Sequence, residues 1–269
     1  LGAAKLSGKI GAWKVGVLSG VTAREYAQID EAGLRSSQEI EPFTWYGVAR
    51  AQREFAAGRH GLGFIATGVQ RDLGDEALAG LLNRSAQALG VDGWTFLDNK
   101  RNWFLNGWLG ATRVAGDPAQ ILRLQKSSTH FFQRPDAGYL RLDPQAASLS
   151  GWGGMLRFGR EQGRFWMHVN LGAVSPGFDP NDIGFQYSTS DTVNSSVDFA
   201  YRWPHPGKVF RSVFTWIGAY RTWDFGLSRT GNGVAGSLQT EWLNYWFSAI
   251  NFSVTPSYFS DTLTRGGPQ

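Results

Sequence analysis

The chain has 269 residues, 42% of them hydrophobic, 18% charged and 14% aromatic, with 12 Trp and 35 Gly. This composition excludes a disordered segment and supplies one sizeable core or one large barrel without forcing a division, so 1–269 reads as a single domain. The absence of Cys removes disulfides, thiolate metal sites and a thiol nucleophile, and a net charge of +4 scattered along the chain does not mark a nucleic-acid binder.

Alternation sets in at once. Residues 1–6 lack the basic start and apolar block of a secretory signal, so the numbering is expected to begin in a mature protein or inside a longer one. Ala4, Leu6, Gly8 and Ile10 oppose Lys5, Ser7 and Lys9, a period of two that predicts a strand with one apolar and one wet side. The pattern recurs over 12–22, 43–55, 60–70 and 88–98. In 102–113, Trp103, Leu105, Gly107, Leu109 and Ala111 oppose Asn102, Asn106 and Thr112. In 148–160, Trp152, Leu156 and Phe158 oppose Gly153, Met155 and Arg157. The runs 163–174 and 191–203 alternate most cleanly, with Phe165, Met167, Val169 and Leu171 against Trp166, His168 and Asn170. Segments 207–222, 234–244 and 246–258 complete twelve runs. Many reach ten residues, twice the usual strand of a soluble protein and about what a tilted strand needs to cross a bilayer. No stretch approaches ~18 consecutive apolar residues, so no spanning helix is expected.

Connections alternate as well. Tight links pass through Gly11, 57–59, 99–101, 161–163, 204–206 and the neighbourhood of Asn244, whereas 23–42, 71–87, 114–147, 175–190 and 223–233 are long. Short turns at one end and long loops at the other are the rhythm of an outer-membrane barrel. Trp13, Phe55, Trp103, Phe165, Trp203 and Trp246 all fall within a few residues of a tight turn, where an interfacial aromatic girdle would lie. The fold expected is therefore all-β, an antiparallel transmembrane β-barrel of which about twelve strands are present. With tight turns on the periplasmic side, both ends of the run lie outside, so at least one further strand is expected at each end to close the sheet.

The polar sides of the runs carry Arg50, Gln52, Glu54, Arg157, His168, Asn170, Asp198 and Arg202. These are the candidates to line a lumen, and their mixed signs fit a channel, a plug held by ion pairs, or plain hydration. Within 114–147, residues 117–126 predict a short helix, Asp117 capping and Pro118 in the first turn; 77–86 is a second helical candidate. His60, His130, His168 and His205 show no metal-ligand spacing, and Asp179-Pro180-Asn181-Asp182 reads as a turn rather than a calcium loop. Gly151-Trp152-Gly153-Gly154 lacks the helix and Lys of a phosphate loop, and no Gly-x-Ser-x-Gly elbow occurs. No catalytic residue, metal or cofactor is nominated.

Several longer phrases occur in order: Phe132-Gln133-Arg134-Pro135-Asp136, Leu140-Arg141-Leu142-Asp143-Pro144, Leu149-Ser150-Gly151-Trp152, Ser175-Pro176-Gly177-Phe178, Asn181-Asp182-Ile183-Gly184 and Arg265-Gly266-Gly267-Pro268. Together they resemble the outer-membrane barrel domain of unknown function that follows a family-9-like carbohydrate-binding module in many Gram-negative bacteria. The resemblance implies an outer-membrane location, lipid as the main partner, and a glycan ligand held by a module lying outside these residues; it brings no catalytic residues. The expected role is a pore, transport or surface-docking component. A secreted all-β glycan-active enzyme or lectin, and a structural barrel that only anchors a binding module, are the alternatives.

Overall fold

The computed structural model describes residues 1–186, 189–260 and 262–267; Pro268, which closes one of the phrases above, lies outside them. Twelve strands form one sheet: β1 (Gly2–Ile10), β2 (Trp13–Thr22), β5 (Phe43–Phe55), β6 (His60–Asp72), β7 (Ser85–Phe96), β8 (Trp103–Ala115), β9 (Ser148–Arg160), β10 (Phe165–Val174), β11 (Thr192–Trp203), β12 (Phe210–Trp223), β13 (Arg229–Trp242) and β14 (Phe247–Val254). Each pairs antiparallel with the next in that order, so the sheet is a pure meander with β1 and β14 at its open edges. The strands run from 8 to 14 residues. All twelve expected runs are strands. The sheet is not closed on itself; the fold is a twelve-stranded antiparallel all-β sheet.

Tight turns gather at one end of the sheet. Gly11 at φ 59° and the Ala56, Ala57, Gly58 series at φ 48°, 54° and 81° provide the left-handed backbone that reverses the chain in a few residues. At the other end the long connection 23–42 carries a second hairpin, β3 (Glu25–Glu31) and β4 (Leu34–Glu41), outside the main sheet, and two expectations need correction. The helical candidate 77–86 shrinks to one turn, α1 (Glu76–Ala79), capped by Asp75, because Ser85 and Ala86 already belong to β7 and pair with Gln70 and Val69. The connection over 223–233 is also shorter than expected, since β12 and β13 extend until only 224–228 separates them. The other helix, α2 (Pro118–Gln125), forms as expected, the Asp117 carboxylate accepting from the Ala119 amide at 2.8 Å.

The small core lies between α2 and the loop end of the sheet. Fully buried Ile121 packs with Val69, Ala86 and Val114 from three adjacent strands, and Tyr46, Leu124, Ala146 and Ile183 complete the cluster.

Candidate functional surface: two unlike faces and a loop layer

Strand register sorts every side chain to one of two faces. Val169 stands opposite Val197 and Phe158, and the same row continues through Leu105 on one side and Ala219 and Val234 on the other. Following that row and the positions two apart from it along each strand, Leu6, Val17, Phe64, Leu89, Leu109, Leu156, Leu171, Ile217, Leu238 and Ile250 all fall on one face. These side chains are exposed, Leu109 at 55% and Leu171 at 52%, and among the described residues no helix or second sheet lies against them. At the loop end Phe225 meets Trp152 edge-on, with ring centroids 6.0 Å apart. A large, continuous exposed apolar surface on a folded chain marks an interaction surface, for a protein, a membrane or a ligand.

Trp13, Phe55, Trp103, Phe165 and Trp203 stand on this same face, each at the tight-turn end of its strand, while Trp246 lies in the β13–β14 turn and is 75% exposed. Neighbouring rings pack with them: Trp103 stacks on Phe158 at 5.3 Å, Phe165 on Phe199 at 6.3 Å, and Trp13 leans on Phe64 at 6.1 Å. Guanidinium groups sit among the rings, that of Arg160 5.9 Å from Trp103 and 5.7 Å from Phe165.

The opposite face carries all eight polar candidates. The structure joins most of them into pairs. Arg50 on β5 reaches across Gly63 of β6 to Asp92 on β7 in a bidentate ion pair, Nη2 lying 2.8 Å from Oδ1. Glu54 takes Lys14 at 2.5 Å, and Gln52 is the register partner of Lys14. His168 is held between two carboxylates, its Nδ1 2.8 Å from Asp198 and its Nε2 3.0 Å from Glu161, and Glu161 also receives Arg157 at 2.9 Å. Asn170 donates to the Ser196 hydroxyl at 3.0 Å. Arg202 is set apart, lying over the rings of Trp166 and Phe214.

Asp92, Glu161 and Lys14 were not among the sequence candidates, yet they are the partners that organise the face. Parity within each run places Asp92 and Lys14 on the polar side, whereas Glu161 belongs to a turn, where parity gives no guide. Among the described residues no group of three or more His, Cys, Asp or Glu is arranged to hold a metal ion. The only hydroxyl bound to a histidine ring in them is Thr95 on His60 Nδ1, 2.6 Å apart. The arrangement offers hydration, ion pairing and hydrogen bonding.

At the loop end, two long segments fold down over the polar face. Phe178 lies against Gly151 of β9 so closely that a Cβ there would fall 2.1 Å from the Phe178 amide, and the Asp179 amide donates to Thr112 of β8 at 2.9 Å. Buried His130 ties the two segments together, with Nδ1 2.8 Å from the Pro176 carbonyl and Nε2 3.1 Å from Asp179. Buried Arg134 and Asp191 form a second knot, which the Tyr139 hydroxyl joins from the surface, Arg134 Nη2 donating to Asp191 at 2.6 Å and the Tyr139 hydroxyl to the same oxygen at 2.5 Å. Arg71 and Asn83 both reach Asp182, at 2.6 and 2.8 Å. Gln125 of α2 exchanges two hydrogen bonds with the Asp143 backbone.

Burial opposes charge on Asp179, but the bonds from His130 and from the backbone and side chain of Asn181 outweigh it and hold its carboxyl below the ordinary range. Burial, and then the bond to Asp191, pushes the Tyr139 phenol far above its ordinary value, so it stays a donor. The expected turn at 179–182 is present, the Asp179 side chain accepting from the Asn181 amide at 2.9 Å.

These features define a class: an all-β protein built on one long-stranded antiparallel meander, apolar on one face, polar and loop-capped on the other. The chain belongs to the family described as Domain of unknown function (DUF5916), whose profile matches residues 1–263. No curated protein and no solved structure matches it.

Proposed function

We propose that this domain is the wall of an outer-membrane β-barrel, with its apolar face against lipid acyl chains and its polar face toward an aqueous interior. The observation that carries the reading is the bare apolar face, continuous across twelve strands, bordered by aromatic rings at the turn end and, among the described residues, covered by no other layer. In this reading the backbone groups along β1 and β14, both exposed throughout, are paired by other strands, because hydrocarbon does not tolerate an open edge. The role that follows is passage or surface docking of a solute, and the family resemblance stated above suggests a carbohydrate.

The test is made on the full-length protein. A barrel migrates differently on a gel before and after boiling and stays dispersed only in detergent or vesicles. Monomeric solubility without detergent would instead favour the secreted enzyme or lectin. A second reading, a barrel that only anchors a binding module, is favoured by one observation: the ion-paired loop layer lies across the polar face at the loop end. Liposome swelling separates the two, since a pore admits small sugars and a sealed anchor does not.

A further inference from the structure

The charged residues of the chain are distributed unevenly between the two ends of the fold. The six segments at the tight-turn end, 9–14, 53–60, 98–103, 160–165, 202–211 and 241–247, hold eleven Lys or Arg and four Asp or Glu, a net +7. The five segments at the loop end, 23–42, 71–87, 114–147, 175–190 and 223–233, hold nine basic and fourteen acidic residues, a net −5. Charges scattered along the sequence thus converge into a basic rim, because the meander returns to the same end at every second connection.

Little inside the fold neutralises this rim. Among the described residues, the rim cations that meet a carboxylate are Lys14, on Glu54, and Arg211, on Glu241. Arg53 and Arg160 stand on the apolar face itself, Arg53 4.8 Å from the Phe55 ring centroid and Arg160 against Trp103 and Phe165. An arginine so placed lays its aliphatic stem along apolar surface and turns its fork toward the adjoining polar layer. That fork matches the oxygens of a phosphate.

We propose that the turn rim docks on a leaflet of anionic phospholipid, its cations taking the headgroup phosphates while the neighbouring rings sit at the acyl boundary. The inference rests on the membrane-barrel reading and adds to it a lipid class and the end of the barrel that meets it. A basic residue beside an anionic surface strengthens association about fivefold. The net −5 of the loop end opposes the same contact there.

The experiment reconstitutes the full-length protein in phosphatidylcholine vesicles containing increasing amounts of acyl-brominated phosphatidylglycerol and reads tryptophan quenching. Heat-modifiable migration from phosphatidylcholine alone shows insertion independently of lipid charge. The wild type is expected to prefer phosphatidylglycerol about fivefold, and about 1 M salt should abolish the preference. Arg53→Gln/Arg160→Gln should lower the ratio. Lys100→Gln/Arg164→Gln/Lys208→Gln changes only exposed rim positions and should lower the ratio without affecting insertion. Inserted wild type with equal quenching by both lipids overturns the inference, as does a ratio unchanged in both variants or tighter capture by a soluble polyanion than by the vesicles. No heat-modifiable form at all removes the barrel reading, and this inference with it.

Discussion

Val169 and Val197 face each other across β10 and β11, and His168 and Asp198 form the next pair in the same ladder. One step along the strand therefore moves a side chain from the apolar to the polar face, and this gives the sharpest test of the assignment. On the proposed barrel reading, Val169→Arg or Val197→Arg is expected to cost about 2–4 kcal/mol near mid-bilayer and to reduce the heat-modifiable fraction. His168→Arg places a cation between Glu161 and Asp198 and should leave that fraction unchanged. Equal behaviour of the two substitution types would reverse the faces.

In the loop layer, Asp179 titrates below the ordinary carboxylate range, so the folded state binds its proton less readily than the unfolded state. Its contribution is complete above about pH 4, the unfolded value, and disappears as pH falls through the lower folded value. The stability gap between wild type and Asp179→Asn, read by urea unfolding, should narrow as pH falls below about 4. A gap that persists at the lowest pH would show that the His130 link contributes through packing rather than charge.

At the scale of elements, the β3–β4 hairpin is the clearest case of a unit outside the main framework. It pairs only with itself, turns on Ala32 at φ 53° and Gly33 at φ 87°, and is tied at its base by Arg24 to Glu39 and Asp72. Two-stranded hairpins standing alone are marginal in water. Limited proteolysis is therefore expected to cut first at 32–33, with the strand signal in circular dichroism almost unchanged after the cut. Early cleavage within the segment carrying α2 would argue that the loop layer, rather than the hairpin, is the weaker part. The sequence signalled α2 through its Asp-Pro start but not the hairpin, whose mixed polar residues follow no two-fold period because neither side of it is buried.

At the scale of the molecule, the open edges decide what the sheet must do. β1 runs toward the turn end and β14 away from it, so they are oriented to pair antiparallel with each other or with strands that come between them. On the proposed barrel reading, strands that come between them close the sheet. Ser7→Cys combined with Asn251→Cys places two thiols on the polar face of the two edges, and no disulfide between them is expected in vesicles. A rapid intramolecular disulfide, read as a mobility shift reversed by reductant, would show instead that twelve strands close the barrel.

The sequence alone determined the twelve strands, their antiparallel order, the sidedness of those that alternate cleanly and the position of the aromatic residues near the turns. Those properties depend on a two-residue period and on connection length, both local. Only the tertiary structure decided which polar residues meet. Arg50 finds Asp92 across an intervening strand, His168 finds a turn carboxylate, and the His130 and Arg134 knots join segments about fifty residues apart. The basic rim also belongs to the fold: no short window of the chain is strongly basic, and the charges converge only because the sheet brings six separate turns to one end.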